Sequence, residues 1–148
     1  MNRFVLDTGV LIHYIRKSTL YQKIESEQNL TAADSFPLIS VTTKAELISF
    51  GIQNNWQTQK LHDLSTLLDK IPIIDINSSD SKLMDAYAEL DAFSKGKLAS
   101  NPLGRSAIKM GKNDLWIAAT TVVTSSSLIT LDGDFDHLNS VFIPVIKY

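Results

Sequence analysis

Short apolar, β-branched runs alternate along the chain with stretches whose apolar residues recur every three or four positions, an alternation that predicts strands separated by helices. Phe4-Val5-Leu6 is the first run. It ends at Asp7-Thr8-Gly9, after which Val10, Leu11, Tyr14 and Ile15 fall at helical spacing. Phe36 to Thr42 is the second run, followed by a helix over Lys44 to Gln53 in which Ala45, Ile48 and Ile52 share a face. Trp56 to Lys70 carries Leu61, Leu64, Leu67 and Leu68 at spacings of three and four, and Pro72 ends that helix before a strand over Ile73 to Ile76. The capping cluster Asn77-Ser78-Ser79-Asp80 opens a helix bearing Leu83, Met84, Tyr87, Leu90 and Phe93. Gly, Ser, Asn and Pro punctuate residues 96 to 104, and a further helix starts near Asn113. Ser127 to Thr130 and Val141 to Ile146 read as the last two strands. The pattern assigns no element to the polar stretch between Ile15 and Phe36.

Strands separated by segments long enough for helical crossovers predict an α/β fold, a three-layer α/β/α sandwich around a central, mainly parallel sheet. No internal repeat or linker divides the chain, so residues 1–148 read as one domain. At this length, with 44% hydrophobic residues, a core forms without a disulfide or structural metal. Cysteine is absent, which removes thiolate metal sites, disulfide frameworks and cysteine nucleophiles. The net charge of −2 excludes a strongly basic nucleic-acid coat, so any contact with nucleic acid is local. Asp7 interrupts the first apolar run before a secretory core could form. The uncharged stretch Leu115 to Leu131 is broken by seven hydroxyl residues. Both features predict a soluble, cytoplasmic protein with no membrane contact.

In sheets of this type ligands bind beyond the carboxyl ends of the strands, and there the chain places acids. Asp7 follows the first strand, Glu46 lies in the first turn of the next helix, Asp114 opens a late helix and Asp132 follows Leu128-Ile129-Thr130. Singly, each has a structural use as a helix cap, a first-turn acid or a turn residue. Together, four carboxylates on one edge repel one another unless a cation or retained protons relieve them. With oxygen ligands and no cysteine, the expected ion is Mg²⁺ or Mn²⁺. Such an ion suits phosphodiester hydrolysis, since it can align and acidify a water and stabilise the leaving oxygen. Asp132-Gly133-Asp134-Phe135-Asp136 resembles the opening of a calcium loop but lacks its closing glutamate.

Four segments in order, Phe4-Val5-Leu6-Asp7-Thr8, Thr43-Lys44-Ala45-Glu46-Leu47, Asn113-Asp114-Leu115-Trp116-Ile117-Ala118-Ala119 and Leu128-Ile129-Thr130-Leu131-Asp132-Gly133-Asp134-Phe135, resemble the PIN-domain ribonucleases, especially the VapC-type toxins. The resemblance implies a metal-dependent endoribonuclease of a type II toxin–antitoxin pair. Asp7, Glu46, Asp114 and Asp132 would hold the ion and position water, with Thr130, and secondarily Asp134, in support. It also implies an RNA substrate, transfer RNA among the candidates, a cognate antitoxin and a homodimer. The helical region Trp56 to Lys70 and the loop Gly96 to Gly111 make the chain longer than the shortest members, which leaves substrate preference and antitoxin docking open.

From Lys95 to Lys112 there are five basic residues and no acid, directly ahead of Asp114. Arg105, Lys109 and Lys112 are therefore candidates for holding an RNA backbone, the alternative being a solvated loop. His13, His62 and His137 have no catalytic partner at a recognisable spacing and read as structural. No nucleophile elbow, Ser–Lys pair or phosphate-cradling glycine loop is present. Two alternatives stay open: a noncatalytic interaction module of the same fold, and a metal-dependent phosphatase acting on small esters.

Overall fold

In the computed structural model, which describes residues 2–148, five strands form one sheet in the order β3-β2-β1-β4-β5. They are β1 (Asn2–Leu6), β2 (Ser35–Ser40), β3 (Ile73–Ile74), β4 (Ser127–Thr130) and β5 (Val145–Lys147). Every neighbouring pair is parallel, with Val5 opposite both Leu38 and Leu128, Ile39 opposite Ile73, and Ile129 opposite Ile146. The helices are α1 (Thr8–Arg16), α2 (Thr19–Gln28), α3 (Val41–Gln53), α4 (Thr58–Lys70), α5 (Ser81–Ser94) and α6 (Lys112–Val123). A 3₁₀ segment over Gly133–Leu138 follows β4.

The chain steps outward from β1 to β2 and β3, then returns to the other side of β1 for β4 and β5. The connections therefore diverge between β1 and β4, leaving a crevice beyond their carboxyl ends. The strand pleat divides the core in two. Phe4, Leu6, Ile39 and Ile129 point to the face covered by α1 to α4, packing with Leu11, Ile24, Leu47 and Leu64. Val5, Leu38 and Leu128 point to the opposite face, covered by α5 and α6 through Leu83, Leu90, Phe93, Leu115 and Ile117. Apolar side chains on consecutive residues are what a strand buried on both faces requires.

The elements differ from the sequence pattern in several places. α2 lies in the unassigned polar stretch; it is capped by Ser18, whose Oγ accepts from Tyr21 N–H at 3.2 Å, and buries only Ile24. The second strand ends at Ser40, because the Ser40 hydroxyl caps α3 and draws Val41 and Thr42 into the helix. The third strand is only Ile73–Ile74. The last strand is Val145–Lys147 rather than Val141 to Ile146: Phe142 and Ile143 turn into the core, Phe142 packing edge-on against Phe93 at 5.0 Å. Trp56 lies ahead of α4 rather than in it, buried against Gly51. Among the described residues no helix is long and apolar enough to cross a membrane.

Candidate active site

The first turn beyond β1 fixes Asp7. Its backbone N–H donates to the Ile129 carbonyl at 3.0 Å, extending the β1–β4 pairing, and its side chain caps α1 by accepting from Thr8 N–H at 2.8 Å. The second carboxylate oxygen accepts from the fully buried Thr130 hydroxyl at 2.6 Å. The Thr130 Oγ1 in turn accepts from Asp132 N–H at 3.0 Å. One hydroxyl thus joins the ends of β1 and β4 and sets two of the acids relative to each other.

Asp132 then caps the 3₁₀ segment, its Oδ1 accepting from Asp134 N–H at 2.9 Å. This tight turn brings Asp134 back toward the strand end, while Phe135 is driven into the core. Asp136 faces elsewhere and pairs with Lys147 at 2.6 Å. On the other flank, α6 starts at Gly111 without a side-chain cap and carries Asp114 in its first turn. Carboxylate oxygens of Asp114, Asp132 and Asp134 all lie within 4.8 Å of one another. Glu46 comes from α3 and is held by the Thr8 hydroxyl, which donates to its Oε1 at 2.9 Å.

The electrostatics are those of crowded like charges. Burial pushes the Asp114 carboxyl up to about 7, and the charges of Asp7, Asp132, Glu46 and Asp134 push in the same direction. The amino end of α6 favours an anion at this position, yet it is outweighed. Asp7, only 9% exposed, is also raised, first by burial and then by Glu46 and Asp132, although the bonds from Thr130 and Thr8 oppose this. Lowering this mutual repulsion without protons requires a cation. An all-oxygen set of carboxylates matches a hard divalent ion that retains water ligands.

The structure therefore brings Asp7, Glu46, Asp114, Asp132 and Thr130 to one edge of the sheet. Asp134, which the sequence suggested only in a supporting part, belongs to the tightest carboxylate group. Thr8, which the sequence left without a role, orients Glu46. The recurrence of Asp at 132, 134 and 136 was the available signal for the first; a bond across 38 residues left none for the second. Arg105 and Lys109 are exposed on the irregular segment between α5 and α6, and Lys112 is exposed at the first position of α6. None of the three has an ion-pair partner among the described residues. Lys95, in contrast, is tied to Asp91 at 2.9 Å. The segment is anchored by Ile108 N–H donating to the Ser94 carbonyl at 2.7 Å and by buried Met110. His137 is bonded to Ser94 Oγ at 2.7 Å and stacked on Phe93; burial, and then the charge of Arg105, hold its pKa below the ordinary value.

A search of curated proteins finds no match. Solved structures similar over nearly the whole chain include VapBC2 from Rickettsia felis bound to a DNA fragment from its promoter, at TM-score 0.72 and 21% identity, covering 99% of this chain and 98% of that one. VapBC-1 from nontypeable Haemophilus influenzae matches at TM-score 0.71 and 22% identity, covering 98% and 97%. VapBC-5 from Mycobacterium tuberculosis, a member of the VapBC family of toxin–antitoxin systems, matches at TM-score 0.64 and 24% identity, covering 100% of both chains. At these identities the likeness is one of fold. The PIN domain family model matches residues 4–140, a span that takes in all five acids, and the chain belongs to the PIN domain family.

Proposed function

We propose that this protein is a metal-dependent endoribonuclease, the toxin of a type II toxin–antitoxin pair. The observation that carries the reading is the convergence of Asp114, Asp132 and Asp134 oxygens within 4.8 Å, beside Asp7, with the Asp114 carboxyl raised to about 7 by burial and its acidic neighbours. Asp7, Asp114 and Asp132 would hold Mg²⁺ or Mn²⁺, with Asp134 joining them. Such an ion supplies an acidified water and charge stabilisation at the leaving oxygen of a phosphodiester. Glu46, steadied by Thr8, is placed as a ligand or as the base that orients the attacking water. Thr130 positions Asp7 and Asp132 through its two hydrogen bonds. Arg105, Lys109 and Lys112 would neutralise RNA phosphates beside a site that otherwise repels them.

The fold shared with the toxin–antitoxin complexes supports a cognate antitoxin as the partner that silences the enzyme; a homodimer is the proposed active assembly. Residues 1–148 act as one domain, with RNA, transfer RNA among the candidates, as substrate. The cytoplasm is the compartment that offers both RNA and antitoxin. The test is incubation of purified, antitoxin-free protein with a mixed pool of structured RNAs in Mn²⁺, in Mg²⁺ and in EDTA, with fragment ends mapped by sequencing. The expected result is discrete cleavage with metal and none in EDTA. Intact RNA in every lane, from folded protein, would overturn the nuclease reading and favour an interaction module.

A further inference from the structure

The acidic edge continues into a groove of about 420 Å³ bordered by Thr8, Glu46, Ser49, Phe50, Gln53 and Asn113. Three of its residues lie on one stripe of α3: Glu46, Ser49 and Gln53, at steps of three and four. From Glu46 to Gln53 the helix axis advances roughly 10 Å. The groove therefore starts at the hydrogen-bonded Thr8–Glu46 pair and ends two turns away at a carboxamide. Asn113 closes the other wall, next in sequence to Asp114.

The lining has a particular chemistry. Apart from Glu46, already engaged by Thr8, its polar groups are neutral: the Thr8 and Ser49 hydroxyls and two carboxamides. Gln53 Nε2 donates to Ser49 Oγ at 2.8 Å, which orients the carboxamide while leaving its oxygen and second N–H for a ligand. The Phe50 ring gives an apolar wall. It is held by Trp56, edge-on at 5.5 Å, and by the Arg16 guanidinium at 5.4 Å.

We propose that this groove is the base-reading subsite of the enzyme: it takes the unstacked nucleobase adjoining the phosphate under attack, with Gln53 and Asn113 reading its edge and Phe50 backing it. The inference rests on the nuclease reading and adds the residues that set sequence preference. A phosphate at the acidic cluster brings its own nucleoside within reach of a groove that opens beside Glu46 and Asp114. Carboxamides present the paired donor and acceptor that match base edges, and single-stranded RNA is recognised through splayed bases read in this way. A basic peptide segment would seek carboxylates, and this wall offers only the one that Thr8 already occupies.

The test compares wild type, Gln53→Leu and Gln59→Leu, the last an exposed glutamine on α4 that bonds Asp63. Each full-length protein is incubated with a randomised single-stranded RNA pool in Mn²⁺ and the cut ends are sequenced. Wild type should show a base preference at a position flanking the cut. Gln53→Leu should reduce it by roughly 10-fold, within the discrimination a bidentate side-chain contact provides, while Gln59→Leu leaves it intact. An unchanged preference in Gln53→Leu, or no preference in wild type beside the cut, overturns the proposal.

If wild type cuts nothing, the nuclease reading has failed, and the groove is judged separately by fluorescence anisotropy in EDTA with short RNAs differing at one base. Discrimination by wild type that is lost in Gln53→Leu sustains the subsite. Equal affinity for all the RNAs, or a Gln53→Leu defect confined to binding a protein, overturns it.

Discussion

The two ends of the parallel sheet differ in the charge they gather. At the amino ends of β1 and β4 a cavity of about 430 Å³ is bordered by Arg3, Ser125, Ser126, Ser127 and Pro144, and no acid borders it among the described residues. Two of its polar side chains are engaged by the adjacent Thr124: the Arg3 guanidinium donates to the Thr124 carbonyl at 3.3 Å, and the Ser126 hydroxyl is bonded to the Thr124 hydroxyl at 2.7 Å. At the carboxyl ends the fold gathers Asp7, Glu46, Asp114, Asp132 and Asp134, and relieves only part of their repulsion. What distinguishes the ends is an electrostatic strain that the chain tolerates at one and lacks at the other, and that asymmetry is what supports the acidic end as the proposed functional edge.

The comparison breaks most visibly at Asp7. Asp7→Asn keeps the side-chain shape and can still accept from Thr8 N–H while its amide donates to the Thr130 hydroxyl, but it removes a charge from the proposed metal set. RNA cleavage should fall by about 10²- to 10³-fold or more, the scale of losing one preorganised charge-stabilising group, with an unchanged circular dichroism spectrum. Full activity in this variant would remove the acidic edge from the chemistry. Next in size is Thr130→Val, which deletes the hydroxyl joining Asp7 to Asp132. Loss of a residue that orients metal ligands typically lowers metal affinity or activity by about 10- to 100-fold, so cleavage at limiting Mn²⁺ should drop within that range and recover in part at saturating metal.

Reversal of the unpaired cations on the α5–α6 segment, Arg105→Glu with Lys109→Glu, should weaken RNA binding and flatten its salt dependence. The slope should fall by about one for each phosphate that is no longer neutralised. An unchanged slope in filter binding would make the segment an ordinary solvated loop.

A smaller effect lies in stability. The Asp114 carboxyl, raised from 3.8 to about 7, keeps its proton in the folded chain where the unfolded chain has lost it. The folded state thus binds more protons between those values, and metal-free stability must fall as pH rises through that window. The unfolding temperature in EDTA should be higher at pH 5 than at pH 8, and Asp114→Asn should flatten the difference. At pH 8 that variant should melt about 2 to 4 °C higher than wild type, the shift that roughly 1 kcal/mol produces in a chain of this size. Least of all, Ser126→Ala at the opposite end should cost about 1 kcal/mol for one lost hydrogen bond and leave cleavage unchanged. Impaired cleavage there would erase the distinction between the two ends.

Much of this asymmetry is legible in the sequence because it is built from local signals. Asp7 and Asp132 each follow an apolar strand run, and Asp114 opens a helix after Gly111, so strand ends and helix starts predict where they converge. The parallel sheet is legible from runs such as Val5-Leu6 and Leu128-Ile129, whose adjacent apolar residues suit burial on both faces. α2 is not legible, since it fully buries only Ile24 and, Leu20 and Tyr21 aside, is otherwise polar. Nor is the true start of β5. The run Val141-Phe142-Ile143 has strand composition, but Phe142 and Ile143 are committed to the α5 side of the core, and pairing with β4 begins only after Pro144. At the site, Asp134 owes its place to the 3₁₀ turn capped by Asp132, and Thr8 to the packing of α1 against α3. The first is a local turn that the spaced aspartates at 132, 134 and 136 hint at; the second is a bond across 38 residues that no spacing along the chain encodes.

The most direct measurement is a calorimetric titration of the metal-free protein with Mn²⁺ at pH 7.5, run in two buffers of different ionisation enthalpy and repeated on Asp114→Asn. If the acidic edge is a metal centre, wild type binds Mn²⁺ saturably with net proton release as the raised carboxyls ionise, and Asp114→Asn binds at least about 10-fold more weakly with less proton release. Heats of dilution alone from folded wild-type protein would contradict it.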